Sequence, residues 1–322
     1  MKCVQIIRKI FVFSCVLLFI ALNQDFLDHL IHRLFNVKKQ NIPAFDNTQL
    51  VEQKCKGTKT ILYGIFSTVD SYKKRMILRM KKRCDFDNEN QSTIFVLGRP
   101  ETRYAYEQLL TESLVYKDIF VLNCRENMNE GKTFQYFYDS FTQLPCFQYY
   151  AKIDDDTAFR PNELREYVSQ FSNMSKVHLG RTANNEDTVW FRYLIKLIIF
   201  RRDMSWLFNL KSYHAGMLYV ISKSSVKAWI KMRPSELYGD EDMRTSYYMS
   251  KVNSTMVNAD TKFHHYIYYD DDQKFNQLSL FMENTTTPTP KLDWKQFITK
   301  ESLAVHLCKT PEKLSTAFDQ LC

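Results

Sequence analysis

The chain is poor in residues that break regular structure, with 7 Gly and 8 Pro among 322 residues. That scarcity excludes collagen-like, proline-rich and long low-complexity architectures. No internal repeat and no heptad run occurs, which removes solenoids and coiled coils. No C-x-x-C pair occurs, so neither a zinc ribbon nor a thioredoxin-like redox site is encoded. What is abundant is aromatic: 24 Phe and 19 Tyr within a 45% hydrophobic composition. This length and composition indicate a packed body of one large domain or two ordinary ones. A formal charge of +8 is a mild bias towards an anionic partner such as a nucleotide or a lipid headgroup.

From Ile10 to Leu22 the chain carries no charge, with Lys2, Arg8 and Lys9 before it and Asp25 and Asp28 after it. The basic flank predicts a cytosolic tail, residues 1–9, and sends the remainder into the lumen. At about 1.5 Å per residue the run covers roughly 20 Å, so Ile6, Ile7, Phe26, Leu27 and Leu30 are needed to extend it across a bilayer. We read 10–22 as an uncleaved signal anchor; a cleaved signal peptide is the alternative, though no small-x-small cleavage site follows Ala21. Residues 23–56 are polar and weakly patterned, as in a luminal stem. Residues 57–322 form the expected catalytic domain. Cys55, Cys84, Cys124, Cys146, Cys308 and Cys322 make an even luminal set, enough for three disulfides in any of 15 pairings. Glycosylation sequons begin at Asn90, Asn173, Asn253 and Asn284.

Thr60–Phe66 is apolar throughout, as in a strand buried on both faces. A basic helical stretch, Tyr72–Arg83, follows. Strands are then predicted at Ser92–Leu97, Asp118–Leu122 and Tyr149–Ile153, with helices at Glu101–Leu114 and Lys132–Thr142 between them. This alternation predicts an α/β fold with a mainly parallel central sheet. Ligands in such sheets sit beyond the carboxyl ends of the strands, where Asp154-Asp155-Asp156 falls.

Three consecutive carboxylates repel one another, and a divalent cation such as Mg²⁺ or Mn²⁺ would explain their grouping while bridging a diphosphate. A solvated acidic loop is the plainer account. Lys152 and Phe159 around the triplet suggest a strand, a tight turn and a second buried segment. A second triplet, Asp270-Asp271-Asp272, also follows an apolar run, and His264 or His265 stands near it as a metal-ligand candidate. His306, in Leu303-Ala-Val-His-Leu, belongs to a predicted strand. Arg75 and Arg79 share one helical face at i and i+4. Trp190–Phe200, followed by Arg201-Arg202, reads as a buried segment with snorkelling basic residues; a cover for an acceptor groove or a membrane-surface segment are the alternatives.

Context ranks the two triplets. Ile61–Arg79, Phe95-Val-Leu-Gly98, Glu112-Ser113 with Tyr116–Ile119, Lys132-Thr133, Lys152-Ile-Asp-Asp-Asp156, Tyr213–Ser222, Glu241-Asp242 and Val305-His306 occur in one order. This series resembles the β1,3-galactosyltransferase family of Golgi type II glycosyltransferases, over roughly residues 60–315. The resemblance implies a GT-A-type fold, a UDP-sugar donor, Mn²⁺ (or Mg²⁺), and transfer with inversion to a glycan hydroxyl on protein or lipid. By position it implies that Arg75 and Arg79 help hold the nucleotide end. It makes Asp154, Asp155 and Asp156 the D-x-D element, with Asp156 the direct metal ligand and Asp154 and Asp155 nearer ribose and donor sugar. His306 completes the metal site with Asp156 and Asp154, Asp242 after Glu241 acts as base, and Gly216 lies on the segment approaching the donor.

Three departures stand out. Lys82 replaces the family's Trp, His214-Ala-Gly-Met217 replaces Cys-Ser-Gly-Gly/Ala, and Arg244-Thr-Ser246 replaces Tyr-Val-Gly. The expected activity is therefore a Golgi-membrane hexosyltransferase using UDP-galactose or UDP-N-acetylglucosamine and forming a β1,3 linkage. A catalytically inactive, anchored glycan-binding protein of the same fold is the alternative from another class. A two-metal nuclease or phosphatase would use the same carboxylates but lacks a His-rich cluster, and no nucleic-acid partner is expected.

Overall fold

The apolar runs of the sequence become the centre of a sheet. A computed structural model describes residues 42–81, 84–184, 210–234, 239–259, 262–265, 298, 301–306 and 308–322, with the backbone only at 184 and 263–265. Strand β1 (Lys59–Phe66) pairs in parallel with β2 (Gln91–Leu97) on one side and with β4 (Phe147–Asp154) on the other. β3 (Ile119–Val121) extends the parallel set beyond β2. On the far side β7 (Ser212–Ser222) runs antiparallel to β4 and to β6 (Val177–Asn184), and β8 (Thr255–Asn258) pairs in parallel with β6. Among the described residues this gives one seven-stranded sheet in the order β3-β2-β1-β4-β7-β6-β8. A second, three-stranded sheet sets β10 (Ala304–His306) between β5 (Ala158–Phe159) and β9 (Phe263–His265). The mainly parallel α/β architecture is the one expected, and it fits a GT-A-type fold.

Helices follow the strands in alternation: α1 (Thr48–Lys54), α2 (Tyr72–Met80), α3 (Arg103–Tyr116), α4 (Lys132–Gln143), α5 (Pro161–Ser169), α6 (Lys223–Met232), α7 (Glu241–Lys251) and α8 (Pro311–Leu321). Their starts are written locally. Thr102 Oγ1 accepts the Ala105 N–H at 3.1 Å, and Thr310 Oγ1 accepts the Lys313 N–H at 3.3 Å just ahead of Pro311. Such caps satisfy amide groups that a helix start leaves without partners.

Side chains alternate along each strand, so the sheet has a core on either face. Ile61, Tyr63, Ile65, Phe95 and Leu97 pack with Phe159, Leu314 and Phe318 on one face. Leu62, Phe66, Ile94 and Val96 pack with Tyr136, Phe137 and Trp229 on the other. Gly64 interrupts the second set because Tyr136 crosses the strand there. A Cβ on Gly64 would meet the tyrosine ring at 2.4 Å, while the Tyr136 hydroxyl donates to the Ala151 carbonyl at 2.8 Å. Only glycine fits at such an approach.

Two sequence expectations change here. Helix α1 buries Leu50 and is tied to the body by Cys55–Cys146, so the folded body starts ahead of residue 57 rather than after a stem ending at 56. The six cysteines from Cys55 to Cys322, enough for three bridges, form two disulfides among the described residues, Cys55–Cys146 and Cys84–Cys322. Cys124 and Cys308 remain thiols, and they belong to the cores on opposite faces of the sheet, which keeps them apart.

Asn90, Asn173 and Asn253 are exposed, as glycan acceptors must be. The anchor at 10–22, Lys82, the 190–202 segment, the 270–272 triplet and Asn284 lie outside the described residues, as do the side chains of His264 and His265. Among the described residues no helix is long and apolar enough to cross a membrane.

Candidate active site

The site assembles where β4 ends. Strand β4 delivers Asp154, the Thr157 N–H donates back to the Asp154 carbonyl at 3.0 Å, and the chain turns at once into β5. The strand, tight turn and buried segment read from the sequence are therefore present. β5 then pairs antiparallel with β10, Val305 opposite Ala158 and Ala304 opposite Phe159. That register carries His306, the next residue of β10, to Asp156. The Cys308 N–H also donates to the Asp156 carbonyl at 2.9 Å.

His306 Nε2 lies 3.0 Å from Asp156 Oδ1 and 3.6 Å from Asp154 Oδ2. One ligand atom from each of these three residues falls within 4.8 Å of the other two. Adjacent ligands at about 2.1 Å from a shared ion stand roughly 3 Å apart, so the set has the spacing of a divalent-cation site. Its chemistry agrees, since two carboxylates with one imidazole suit Mn²⁺ or Mg²⁺ better than a thiolate-seeking metal. Burial pushes the Asp156 carboxyl up, but His306 and Lys309 overcome that and hold it well below the usual carboxylate range. Asp156 therefore stays ionised and can offer its oxygens to a cation.

Opposite this cluster stands the amino terminus of α7, with Glu241 and Asp242 in its first turn. Acidic residues are favoured at that end of a helix. Asp242 accepts the Met243 N–H at 2.8 Å through Oδ1 and the Gly216 N–H at 3.2 Å through Oδ2. Gly216, in β7, is therefore clasped by the acid pair. A Cβ at Gly216 would lie 3.4 Å from both Glu241 Oε2 and Lys152 Nζ, ordinary contact that the fold would accept. The glycine keeps this backbone open without being forced by packing.

One ammonium joins the two acidic groups. Lys152, side chain 1% exposed, reaches Asp154 Oδ1 at 2.6 Å, Glu241 Oε2 at 3.2 Å and the Gly216 carbonyl at 2.5 Å. Its Nζ also lies 5.5 Å from the Phe66 ring centroid and 5.8 Å from that of Tyr219. Burial pulls the Lys152 ammonium down, but Asp154 and Glu241 more than compensate and keep it charged. Burial pushes Glu241 up to about 7, with Asp242 and Asp154 adding to the rise and Lys152 opposing it. The Tyr219 hydroxyl donates to Glu241 Oε1. Burial likewise raises Asp242, against the Met243 and Gly216 amides and Lys152.

Asp155 completes the triplet: its Oδ1 takes Lys74 Nζ at 2.8 Å, and its Oδ2 stands 3.5 Å from Ser67 Oγ. Asp154, Asp155, Asp156, His306, Gly216, Glu241 and Asp242 thus stand in one region of the structure.

Arg75 and Arg79 are placed differently. Arg75 gives Nε and Nη2 to both Glu112 oxygens at 2.8 and 2.7 Å, and its other donors to Ser67 Oγ, the Thr68 carbonyl and the Val69 carbonyl. With every guanidinium N–H engaged, it braces the loop after β1. Arg79 forks onto Asp118 at 2.8 and 2.7 Å, bridges to Glu112, and lies between the rings of Phe95 and Tyr116. As placed, both arginines bind the framework: Arg75 meets Ser67, the neighbour of Asp155, and Arg79 joins Arg75 through Glu112.

Lys74, Lys152 and Lys309 pair with the three aspartates, and sequence reasoning gave them no role there. Only Lys152 had a readable signal, since residues i and i+2 of a strand share a face.

The two described departures from the family pattern prove to be partners. The His214 N–H donates to Ser246 Oγ at 3.0 Å, and His214 Nε2 meets the His178 carbonyl at 2.9 Å. The imidazole is fully buried, and Gly180 makes room for it, since a Cβ there would come within 2.9 Å of the His214 side chain. Gly216 and Asp242 remain in contact beside them.

The bifunctional glycosyltransferase WbbM, in its apo form, aligns with a TM-score of 0.42 and 11% identity over 87% of this chain and 50% of its own, so this chain spans half its length. The galactosyltransferase LgtC, in complex with donor and acceptor sugar analogues, aligns with a TM-score of 0.42 and 7% identity, over 81% of this chain and 96% of its own. The mannosyltransferase PcManGT from Pyrobaculum calidifontis, in complex with GDP-Man and Mn²⁺, aligns with a TM-score of 0.38 and 11% identity, over 74% and 65%. These likenesses are distant, and no curated protein matches the chain. The family follows from the sequence itself, which matches the galactosyltransferase family over residues 74–254, more than half of its length. The chain belongs to the galactosyltransferase family.

Proposed function

We propose that the chain is an inverting, cation-dependent hexosyltransferase that moves galactose or N-acetylglucosamine from a UDP-sugar to a glycan hydroxyl in β1,3 linkage, on glycoprotein or glycolipid. The observation that carries this reading is the Lys152 ammonium, which holds Asp154 on the cation side and Glu241 on the acid-pair side around one centre. In-line displacement needs a base and a diphosphate-binding group on either flank of one reacting carbon, and this arrangement supports that reading.

In this reading Asp242 takes the proton of the acceptor hydroxyl as that oxygen attacks the anomeric carbon. A base must lie within about 3 Å of the proton it removes, and a carboxylate raised by burial is a better proton acceptor than an exposed one. The UDP leaving group departs from the opposite face, so configuration inverts. Asp154, Asp156 and His306 would hold a divalent cation, which would supply positive charge for the diphosphate. Asp155 and the open backbone at Gly216 face ribose and donor sugar, while Arg75 and Arg79 hold the loop after β1 in register.

The 10–22 run and its basic flank support a type II Golgi membrane protein with its catalytic domain in the lumen. The two disulfides support an oxidising compartment.

Release of UDP from UDP-galactose, UDP-N-acetylglucosamine and UDP-glucose in the presence of Mn²⁺ tests the proposal. Wild-type protein is expected to turn over at least one donor. Asp156→Ala is expected to lose at least about a hundredfold in rate with its melting transition retained. Turnover persisting in that variant contradicts the proposal. Glycan binding without UDP release from any donor favours the binding-protein reading instead.

A further inference from the structure

Each carboxylate of the triplet has its own lysine: Asp154 has Lys152, Asp155 has Lys74 and Asp156 has Lys309. The three lysines differ in how firmly they are held. The Lys152 side chain is 1% exposed and shared with Glu241 and the Gly216 carbonyl, and that of Lys74 is 19% exposed, whereas that of Lys309 is 53% exposed. Its backbone, by contrast, is fixed on both sides. The Cys308 N–H is bonded to the Asp156 carbonyl, and Thr310 caps α8 immediately after it. A tethered stem with a half-exposed ammonium can move its charge by a few ångströms without moving the chain.

Asp156 is also a member of the Asp154–Asp156–His306 cluster, so Lys309 and a cation compete for one carboxylate. The Lys309 ammonium is half exposed while Asp156 is buried, so solvent screens this pair more than it screens the buried Lys152 contacts. It is therefore the contact that a divalent ion displaces most easily. A displaced ammonium beside a bound cation stands where a donor diphosphate carries its negative charge, and phosphate oxygens accept strong, charge-assisted hydrogen bonds.

Building on the donor-site reading above, we propose that Lys309 is a releasable counter-ion. It holds Asp156 while no cation is present, and it turns to the donor diphosphate once a divalent cation takes that carboxylate. Cation and nucleotide binding are thereby coupled, and the coupling is reciprocal: each raises the affinity of the other. Lys74 and Lys152 stay with their aspartates throughout.

The test compares wild type with Lys309→Met, an exposed substitution whose folding is checked by its melting transition. Binding of Mn²⁺ alone is followed by electron paramagnetic resonance, and binding of UDP is then titrated at saturating Mn²⁺. Without its competitor, K309M is expected to bind Mn²⁺ alone about three- to fivefold more tightly. With a phosphate partner missing, it is expected to bind UDP about tenfold more weakly. Unchanged or weaker Mn²⁺ binding in K309M overturns the proposal, and so does unchanged UDP affinity. If Mn²⁺ binding by the wild type is insensitive to Asp156→Asn, the donor-site reading itself fails.

Discussion

Asp242→Asn is expected to lower kcat about a thousandfold while leaving Mn²⁺-dependent UDP affinity within about twofold, because general-base catalysis contributes roughly 10²–10⁴ in rate. The amide retains one acceptor for the Met243 or Gly216 N–H but cannot take a proton. The buried charge also disappears, which offsets the lost acceptor, so the melting temperature should change little. In the wild type, burial raises the Asp242 carboxyl, and only its ionised form serves as base. Activity should therefore fall as pH drops, beginning above the usual carboxylate value of about 4. The acid limb is displaced upwards because a raised pKa keeps the proton on the group to higher pH. Rate measurements across pH, paired with UDP titration, check both parts. An Asp242→Asn enzyme that keeps most of its kcat removes Asp242 from the mechanism.

Lys152→Met should be the most damaging single substitution to the site's structure. Met fits the volume, but Asp154 and Glu241 would face each other without the ammonium that now lies 2.6 and 3.2 Å from them. Removing one partner of a buried ion pair costs about 3–5 kcal/mol. Chemical unfolding is expected to report that loss. Glu241, already pushed up to about 7 by burial, should then stay protonated through the neutral range. Without Lys152 the Gly216 carbonyl also loses its donor, so the backbone at Gly216 loosens together with Asp154. Stability within about 1 kcal/mol of wild type would show that the ammonium is not the organising contact, since surface substitutions behave that way.

Much of this arrangement was legible in the sequence because it is local. An apolar run ending in three aspartates marks a buried strand meeting a ligand edge, and the predicted strands all formed within a few residues of their expected ends. His306 was readable as a strand residue, although its approach to Asp156 depends on the β5–β10 register, which no local pattern encodes. What stayed hidden is long-range charge pairing. Arg75 and Arg79, on one face of a basic helix, look like phosphate ligands until Glu112 and Asp118 are seen to take them at sequence separations of 37 and 39. Lys309 lies 153 residues from Asp156, and nothing in Cys308-Lys-Thr310 announces the contact. The departures at His214 and Ser246 look like damage in the linear chain, yet a hydrogen bond joins them across 32 positions. Disulfides show the same limit, since an even cysteine count suggested three bridges and the two sheet faces separate the last pair.

The central claim is that Asp154, Asp156 and His306 hold one divalent cation against a nucleotide diphosphate, with Asp242 across the reacting carbon. Diffraction from crystals grown with UDP and Mn²⁺, recorded for the anomalous signal of manganese, tests it most directly. The account predicts a single strong peak at about 2.2 Å from Asp156 and His306 and touching the diphosphate. A peak elsewhere, or nucleotide bound with no manganese between these side chains, would contradict it.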